Sequence, residues 1–478
     1  MKKMTEFKYK FFIEGTKKPR SNKKIIQIES SSSINNRNLS IGYNKDILEK
    51  IYNKNRIDPI IEDLLNISLA TFYADLSSER EVLSKKKKIF KNKINFFSRN
   101  IELDIPVNNL ELWNKNKYLL EKIISFITYD NIKFIFREIG PKDETKLVTK
   151  TTNYINSGEF DCISLFSGGL DSFAGSFYLE KNEYKPFYLC VSHHNIGKIV
   201  QELFEDLQIK EKSEIIRVCS NTNISEFTQF SRSFLYINFA FAFAYGFGLD
   251  KIFIPENGII SFQLFKKGRC PTRTVHPILL EYLNNFMPKL FDSSLKIKII
   301  NPFEFYTKGE VIKEISDSKK YLIPKTISCS HYSKYNDTKQ CGMCLPCIIR
   351  RIALTSNKFV PDDDRKISKY GIEAFDINLI NPKMEDYVDI EEIIKKNMPT
   401  KKYFRDAISM LFDIFELTHD IKNLPKVDLL REYPVLDNEK LLKMYQNFAD
   451  EVIETIKFFK TNNNSLKNIY FQLSPKKP

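Results

Sequence analysis

Short apolar runs alternate with stretches of helical spacing through the middle of the chain. The runs DCISLF (161–166), KPFYLCVS (185–192), EIIRVC (214–219), KIFIPE (251–256) and LKIKII (295–300) have the length of strands. Between them, residues near 171–181, 196–208, 231–248 and 277–291 carry a helix-like pattern. Continuous apolar strands separated by helices predict a parallel sheet covered on both faces. The expected fold class is therefore α/β, a doubly wound parallel sheet. In such sheets ligands bind beyond the carboxyl ends of the strands, near the point where strand order reverses.

The flanks read differently. FKYKFFIEG (7–15) and KKIIQIE (23–29) are strand-like, and DPIIEDLLNISLATFYADL (58–76) is helical, with Asp58 as N-cap and Pro59 at the first helical position. IELDIPV, LLEKIISFI and IKFIFREI add further strand- and helix-like pieces. Beyond the polar run PDDDRK the pattern is helical in TKKYFRDAISMLFDIFELTH and NEKLLKMYQNFADEVIETIKFFK. Three regions are expected: an N-terminal accessory α+β domain over 1–155, an α/β core over 156–358 and a helical C-terminal region over 359–478. The most apolar stretch, FLYINFAFAFAYGFGL (234–249), contains Asn238 and is shorter than the ~20 residues that span a bilayer, so it predicts a buried core helix. The N-terminus is charged and has no apolar h-region, and a cytoplasmic location is expected.

Composition narrows the class. A chain of 478 residues with 42% apolar and 28% charged residues is a folded protein of two or three domains, and not a disordered or fibrous one. The net charge of +14 suits polyanionic partners, but it also fits solvated lysines spread over the surface. The basic run at 85–88 lacks the interleaved aromatic residues of a base-stacking platform, which leaves nucleic acid an open partner without favouring it.

The sharpest chemistry lies in LFSGGLDSF (165–173). A strand ends at Phe166, and Ser167-Gly168-Gly169-Leu170-Asp171-Ser172 leads into a helix. Consecutive glycines let the backbone approach a ligand, and the amides and dipole at a helix start hold an anion. Ser167 and Ser172 add hydroxyl donors. Asp171 would repel bare phosphate, so its expected task is to hold Mg²⁺ bridging the phosphates. No lysine follows the glycines as a Walker A loop requires.

The second constellation is Cys329, Cys341, Cys344 and Cys347, two successive C-x-x-C steps with one distal cysteine. Four thiolates suit tetrahedral Zn²⁺ in a closed, structural site. An iron–sulfur cluster is the rival occupant, and His331 is an alternative to Cys329 as a ligand. Cys162, Cys190, Cys219 and Cys270 read as small buried hydrophobes.

S-G-G-x-D-S after a strand resembles the PP-loop of the ATP pyrophosphatase superfamily, whose members bind ATP and cleave between the α and β phosphates. Together with C-x11-C-x-x-C-x-x-C, it resembles the 7-cyano-7-deazaguanine synthase (QueC-like) family. That family adenylates the carboxylate of 7-carboxy-7-deazaguanine, adds ammonia to reach the nitrile and carries one structural zinc. The resemblance covers about 160–356. SRSF (231–234), IPENG (254–258), TRTVHP (272–277) and the outer regions look more like a longer branch, the QueC-like proteins of anti-phage systems (the QatC and CBASS-associated type). That likeness implies a role in phage defence, with an amine of a partner protein as an acceptor beside ammonia.

The resemblance gives the remaining polar residues candidate roles. Arg232, Arg273 and Lys308 could offset charge on leaving pyrophosphate, although each could equally be structural. Glu256 and Asn257 would recognise a base-like substrate or cap the next turn. His276 would transfer a proton or cap the helix that begins at Pro277. His193 and His194 follow the second predicted strand and could face the ligand or solvent. A PP-loop enzyme acting on tRNA, by thiolation or lysidine formation, is the alternative enzyme; a nucleotide-binding assembly subunit is the alternative outside catalysis.

Overall fold

The computed structural model describes residues 6–13, 23–30, 39–44, 48, 51–52, 57–80, 98–140, 157–192, 196–221, 229–263, 272–291, 295–330, 340–342, 344–359, 413–414, 417–419, 421 and 437–462. Among these the strands are β1 (Glu6–Ile13), β2 (Lys23–Ser30), β3 (Ser40–Asn44), β4 (Asn100–Val107), β5 (Asn131–Glu138), β6 (Cys162–Leu165), β7 (Pro186–Ser192), β8 (Ser213–Asn221), β9 (Lys251–Phe253) and β10 (Lys298–Ile300). The helices are α1 (Pro59–Ser77), α2 (Leu110–Thr128), α3 (Leu170–Lys181), α4 (Gly197–Asp206), α5 (Arg232–Phe247), α6 (Gly258–Phe262), α7 (Pro277–Leu290), α8 (Lys308–Lys313), α9 (Leu345–Ser356) and α10 (Asn438–Asn462). The fold is α/β.

All ten strands form one sheet in the order β10-β9-β6-β7-β8-β3-β2-β1-β4-β5. From β8 to β10 every pairing is parallel. Strand order runs outward from β6 in both directions, so it reverses between β6 and β9, the switch point at which α/β sheets bind ligands. β1, β4 and β5 form a second parallel block. The antiparallel strands β2 and β3 join the two blocks, and β3 pairs with β8 in the register Ile41↔Ser220 and Tyr43↔Val218.

That sheet takes strands from both sides of residue 155, and all of them fall in one of two compact units. The first unit comprises Met1–Ser167, Leu179–Pro255 and Gly268–Pro302; the second comprises Gly168–Tyr178, Glu256–Lys267 and Phe303–Pro478. One continuous core, reaching from Phe7 to Ile299, fills the first unit. Within it, α5 is largely apolar and buried along most of its length, as its sequence predicts. Its Asn238 donates to Ser68 Oγ of α1 at 2.5 Å. No helix of the described residues is long and apolar enough to cross a membrane. α1 begins as its sequence predicts, with Asp58 Oδ1 accepting from Ile60 N at 2.8 Å and Pro59 in the first turn.

The second unit has its own core. Ile259 and Phe262 of α6, Ile348 and Ile352 of α9, and Tyr445 and Phe448 of α10 are among its buried members. Several elements came out shorter than expected. β9 stops at Phe253, two residues ahead of Pro255, which has no N–H for the ladder. β10 occupies only the last three residues of its predicted run. The run at 361–366 and most of 400–419 lie outside the described residues.

Candidate functional site: a helix mouth, a buried carboxyl pair and a thiol knot

The SGGLDS loop begins where β6 ends. Phe166 N still donates to Leu189 O at 2.8 Å, and the backbone then turns sharply at Gly168, whose φ is +75°. A side chain there would meet the following carbonyl, so the position favours glycine. Ile327 N donates to Gly168 O at 2.9 Å and pins the turn from outside. The first helical bond of α3 runs from Phe173 N to Gly169 O at 3.0 Å, and Ser172 Oγ donates to the same oxygen at 3.0 Å. The amides of Leu170 and Asp171 thus belong to the first turn, where no carbonyl of the helix can meet them.

Asp171 sits at the centre of a buried cluster. Lys308 Nζ donates to its Oδ2 in a short ion pair, and both side chains are almost fully enclosed. Asn257 Nδ2 donates to Asp171 Oδ1 at 3.2 Å and to Glu256 Oε1 at 2.9 Å, so one amide bridges two carboxyl groups. The Asn257 Oδ1 accepts from Ile260 N at 3.1 Å and caps α6. Capping and bridging therefore coexist on one side chain. Burial, and then the charge of Asp171, push the Glu256 carboxyl up to about 8, against the pull of Lys308. Two adjoining carboxyl groups present hard oxygen donors, and a bound cation would favour the ionised form of Glu256. That donor set fits Mg²⁺.

Lys308 is the first residue of α8 and is set by a capping box. Thr307 Oγ1 accepts from Glu310 N at 3.0 Å, and Glu310 Oε2 accepts from Thr307 N at 2.8 Å. The T-x-x-E spacing that makes this box stands in the sequence as TKGE.

Three other expected site residues belong to the first unit, each with partners there. Arg232 opens α5, with its guanidinium 6.0 Å from the Tyr236 ring centroid. The preceding Ser231 donates through both N and Oγ to Asp75 Oδ2 at 2.9 Å. Asp75 in turn is paired with Arg99 at 2.7 Å, so SRSF is anchored in a buried charge network. Arg273 lies against the rings of Phe126 and Tyr129, 4.3 and 4.2 Å from their centroids, and donates to Phe126 O at 2.7 Å. His276 caps α7, its Nδ1 accepting from Ile278 N at 3.2 Å. Burial, and then Arg273, lower it to about 4, so it is neutral at pH 7. His193, His194, His331 and Cys270 lie outside the described residues.

Cys329, Cys341, Cys344 and Cys347 come together as sequence spacing predicts, all buried, with sulfurs within 4.8 Å of one another. The Cys344–Cys347, Cys341–Cys347 and Cys329–Cys344 sulfur separations are 3.4, 3.9 and 3.9 Å. A single ion with bonds of about 2.3 Å to four tetrahedral sulfurs implies edges of about 3.8 Å, so the sulfurs fit one zinc ion. The irons of a cluster would hold them further apart. Amides of Cys341 and Cys344 donate to Cys329 and Cys341 sulfurs at 3.3 Å, the bonds that favour thiolates. Cys162 and Cys190 are buried as expected, whereas Cys219 on β8 is exposed because its side chain falls on the outward position of the pleat.

Arg350 ties the knot to the loop. Fully buried on α9, it donates to Thr326 Oγ1 at 2.7 Å and Ile323 O at 2.8 Å. It therefore fixes the segment whose next amide, from Ile327, holds Gly168. Nothing in the sequence pattern distinguished this arginine from Arg351 beside it.

The family model for "Queuosine biosynthesis protein QueC" matches residues 191–358. This segment is QueC-like. It includes Glu256, Asn257, Lys308 and all four cysteines, and it begins after the SGGLDS loop. No curated protein matches the chain. The match and the loop geometry support a QueC-like, ATP-using PP-loop enzyme, with the regions outside the match accounted for by neither.

Proposed function

We propose that this protein activates the carboxylate of a 7-deazapurine, such as 7-carboxy-7-deazaguanine, by adenylation. The observation that carries the reading is the left-handed turn at Gly168, opening into α3 with Asp171 engaged by Lys308 and Asn257. First-turn amides of α3, with the hydroxyls of Ser167 and Ser172, receive the phosphates. Lys308 exchanges Asp171 for phosphate oxygens and supplies the cation that a Walker lysine supplies elsewhere. Asp171, with Glu256 beside it, would hold Mg²⁺, which when bound neutralises phosphate charge.

A carboxylate oxygen of the substrate attacks the α phosphorus, and the bond to the bridging oxygen breaks. The electron pair leaves with pyrophosphate, where Lys308 offsets the developing charge. A nitrogen lone pair then attacks the acyl carbon, the bond to AMP breaks and the nitrogen loses a proton. The nucleophile is ammonia or an amine of a partner protein. The zinc knot is structural in this reading: a closed four-sulfur site leaves no position for water. A place in an anti-phage system is supported by SRSF, IPENG, TRTVHP and the outer regions, and it predicts that cells lose protection on Asp171→Ala.

The test is release of pyrophosphate and AMP from Mg·ATP, stimulated by 7-carboxy-7-deazaguanine. Formation of ADP, or no stimulation by that acid with or without ammonia and partner proteins, overturns the proposal.

A further inference from the structure

The C-terminal helix α10 lies outside the QueC-like segment, yet it meets the elements that carry the partners of Asp171. Met444 fits against Gly258, the residue after Asn257; a Cβ at Gly258 would fall 2.2 Å from Met444 Sδ and 2.2 Å from Glu304 O. Asn447 Nδ2 donates to Glu310 Oε1 at 2.6 Å. One turn further on, Glu451 Oε1 accepts a short hydrogen bond from Thr307 Oγ1, and a Cβ at Gly309 would fall 2.2 Å from that oxygen. Thr307 and Glu310 are the two halves of the capping box, and Lys308 stands between them. Thus α10 grips both halves of the cap that starts α8.

The Thr307 hydroxyl is fully committed: it accepts from Glu310 N and donates to Glu451. That fixes the rotamer of Thr307, and with it the first turn from which the lysine side chain departs. We propose that Glu451 is a positioning residue for Lys308, acting through Thr307 and Gly309 to aim the ammonium at Asp171 and, on the function proposed above, at the phosphates.

An apolar side chain here would take their acceptor from the Thr307 hydroxyl and the Gly309 amide, both of which donate to Glu451. Burial pushes the Glu451 acid up to about 8, while the hydrogen bond from Thr307 pulls it down; Glu310 raises it, and Lys313 and the Gly309 amide lower it. The neutral acid therefore predominates near pH 7, and glutamine is its closest mimic. Aspartate keeps the acid and loses the reach. Methionine keeps the volume and loses the acceptors.

The experiment is a double-mutant cycle on the full chain, read by Mg·ATP affinity in titration calorimetry and by kcat and KM for pyrophosphate release. Glu451→Gln is expected within about twofold of wild type. Glu451→Asp and Glu451→Met are expected to weaken Mg·ATP affinity or kcat by about tenfold or more, with circular dichroism showing folded protein. In a Lys308→Ala background the same changes are expected to alter affinity by less than about twofold. Equal effects in both backgrounds overturn the proposal, as does a Gln variant as impaired as the Asp one. If Asp does not fold, Met carries the cycle. A wild-type protein that binds Mg·ATP but releases no pyrophosphate defeats the functional reading alone, because the affinity cycle still decides this one. A wild-type protein that binds no nucleotide defeats both.

Discussion

Lys308 has two carboxyl neighbours and is nearly sealed from water. Replacing it with methionine leaves Asp171 facing the Asn257 amide and the Glu256 carboxyl. Removing one member of a buried ion pair costs roughly 3–5 kcal/mol, because the other charge stays uncompensated. Lys308→Met is therefore expected to lower the thermal midpoint and also reduce kcat by about 10²–10³, the usual loss when one electrostatic stabiliser is removed. Pyrophosphate release and a thermal melt on the same sample check both; a variant with full kcat would remove Lys308 from the site.

Glu256 gives a residue-scale prediction in pH. Its acid is held at about 8 in the fold against an ordinary 4.5, so the folded chain keeps a proton that the unfolded chain releases. Within that window unfolding becomes easier as pH rises: the contribution is complete below 4.5 and lost on passing through about 8. The groups facing it are Asp171, Lys308 and the Asn257 amide. Glu256→Gln cannot titrate. The stability of wild type relative to this variant, measured by melting from about pH 5 to about pH 8.5, is expected to fall steadily. Added Mg²⁺, which favours the charged acid, is expected to flatten the wild-type curve. A difference independent of pH would mean that Glu256 is ionised throughout.

At the scale of elements, Arg350 and the thiol knot bear on the loop through one short segment. Arg350 holds residues 323–326 to α9, and Ile327 holds Gly168. The purified protein is expected to carry one zinc ion per chain by mass spectrometry, with no visible absorption from iron. Removing it with a chelator is expected to lower the melting midpoint and weaken Mg·ATP binding together. Arg350→Met should reproduce the loss of affinity with zinc still bound. Visible absorption with stoichiometric iron and sulfide would refute the zinc assignment, and unchanged affinity after metal removal would refute the coupling.

The elements also show what a sequence can and cannot reveal. The SGGLDS turn was legible because its requirements are local: a left-handed glycine, a helix start and an acid within six residues. The four cysteines were legible for the same reason, their spacing being set by one ion. β3 was missed because SIGYN is short and has no alternating pattern of its own. Its identity as a strand comes from pairing with β2 and β8. Arg273 looked available for phosphate because its partners, Phe126 and Tyr129, lie far away along the chain. Glu451 had no local signal at all, since Thr307 is 144 residues distant.

At the scale of the whole molecule, the N-terminal strands are part of the same sheet as the strand that leads into the SGGLDS loop. β3 occupies the edge of β8, and Tyr43 packs edge-on against Phe239 of α5 at 5.0 Å. Tyr52 donates to Ala242 O at 2.9 Å, and Tyr245 donates to Asp58 at 3.0 Å, so α5 is tied on several sides to residues before 155. A chain starting at residue 156 would leave the β8 edge without its partner and strip one side of a largely apolar helix. Unpaired edges and bare apolar faces of that kind drive association. Such a chain is expected to aggregate or to lack cooperative melting, as read by size-exclusion chromatography and circular dichroism, even though it retains every residue of the QueC-like match. If it stayed monomeric, melted cooperatively and bound Mg·ATP, the N-terminal strands would be a detachable addition to the sheet.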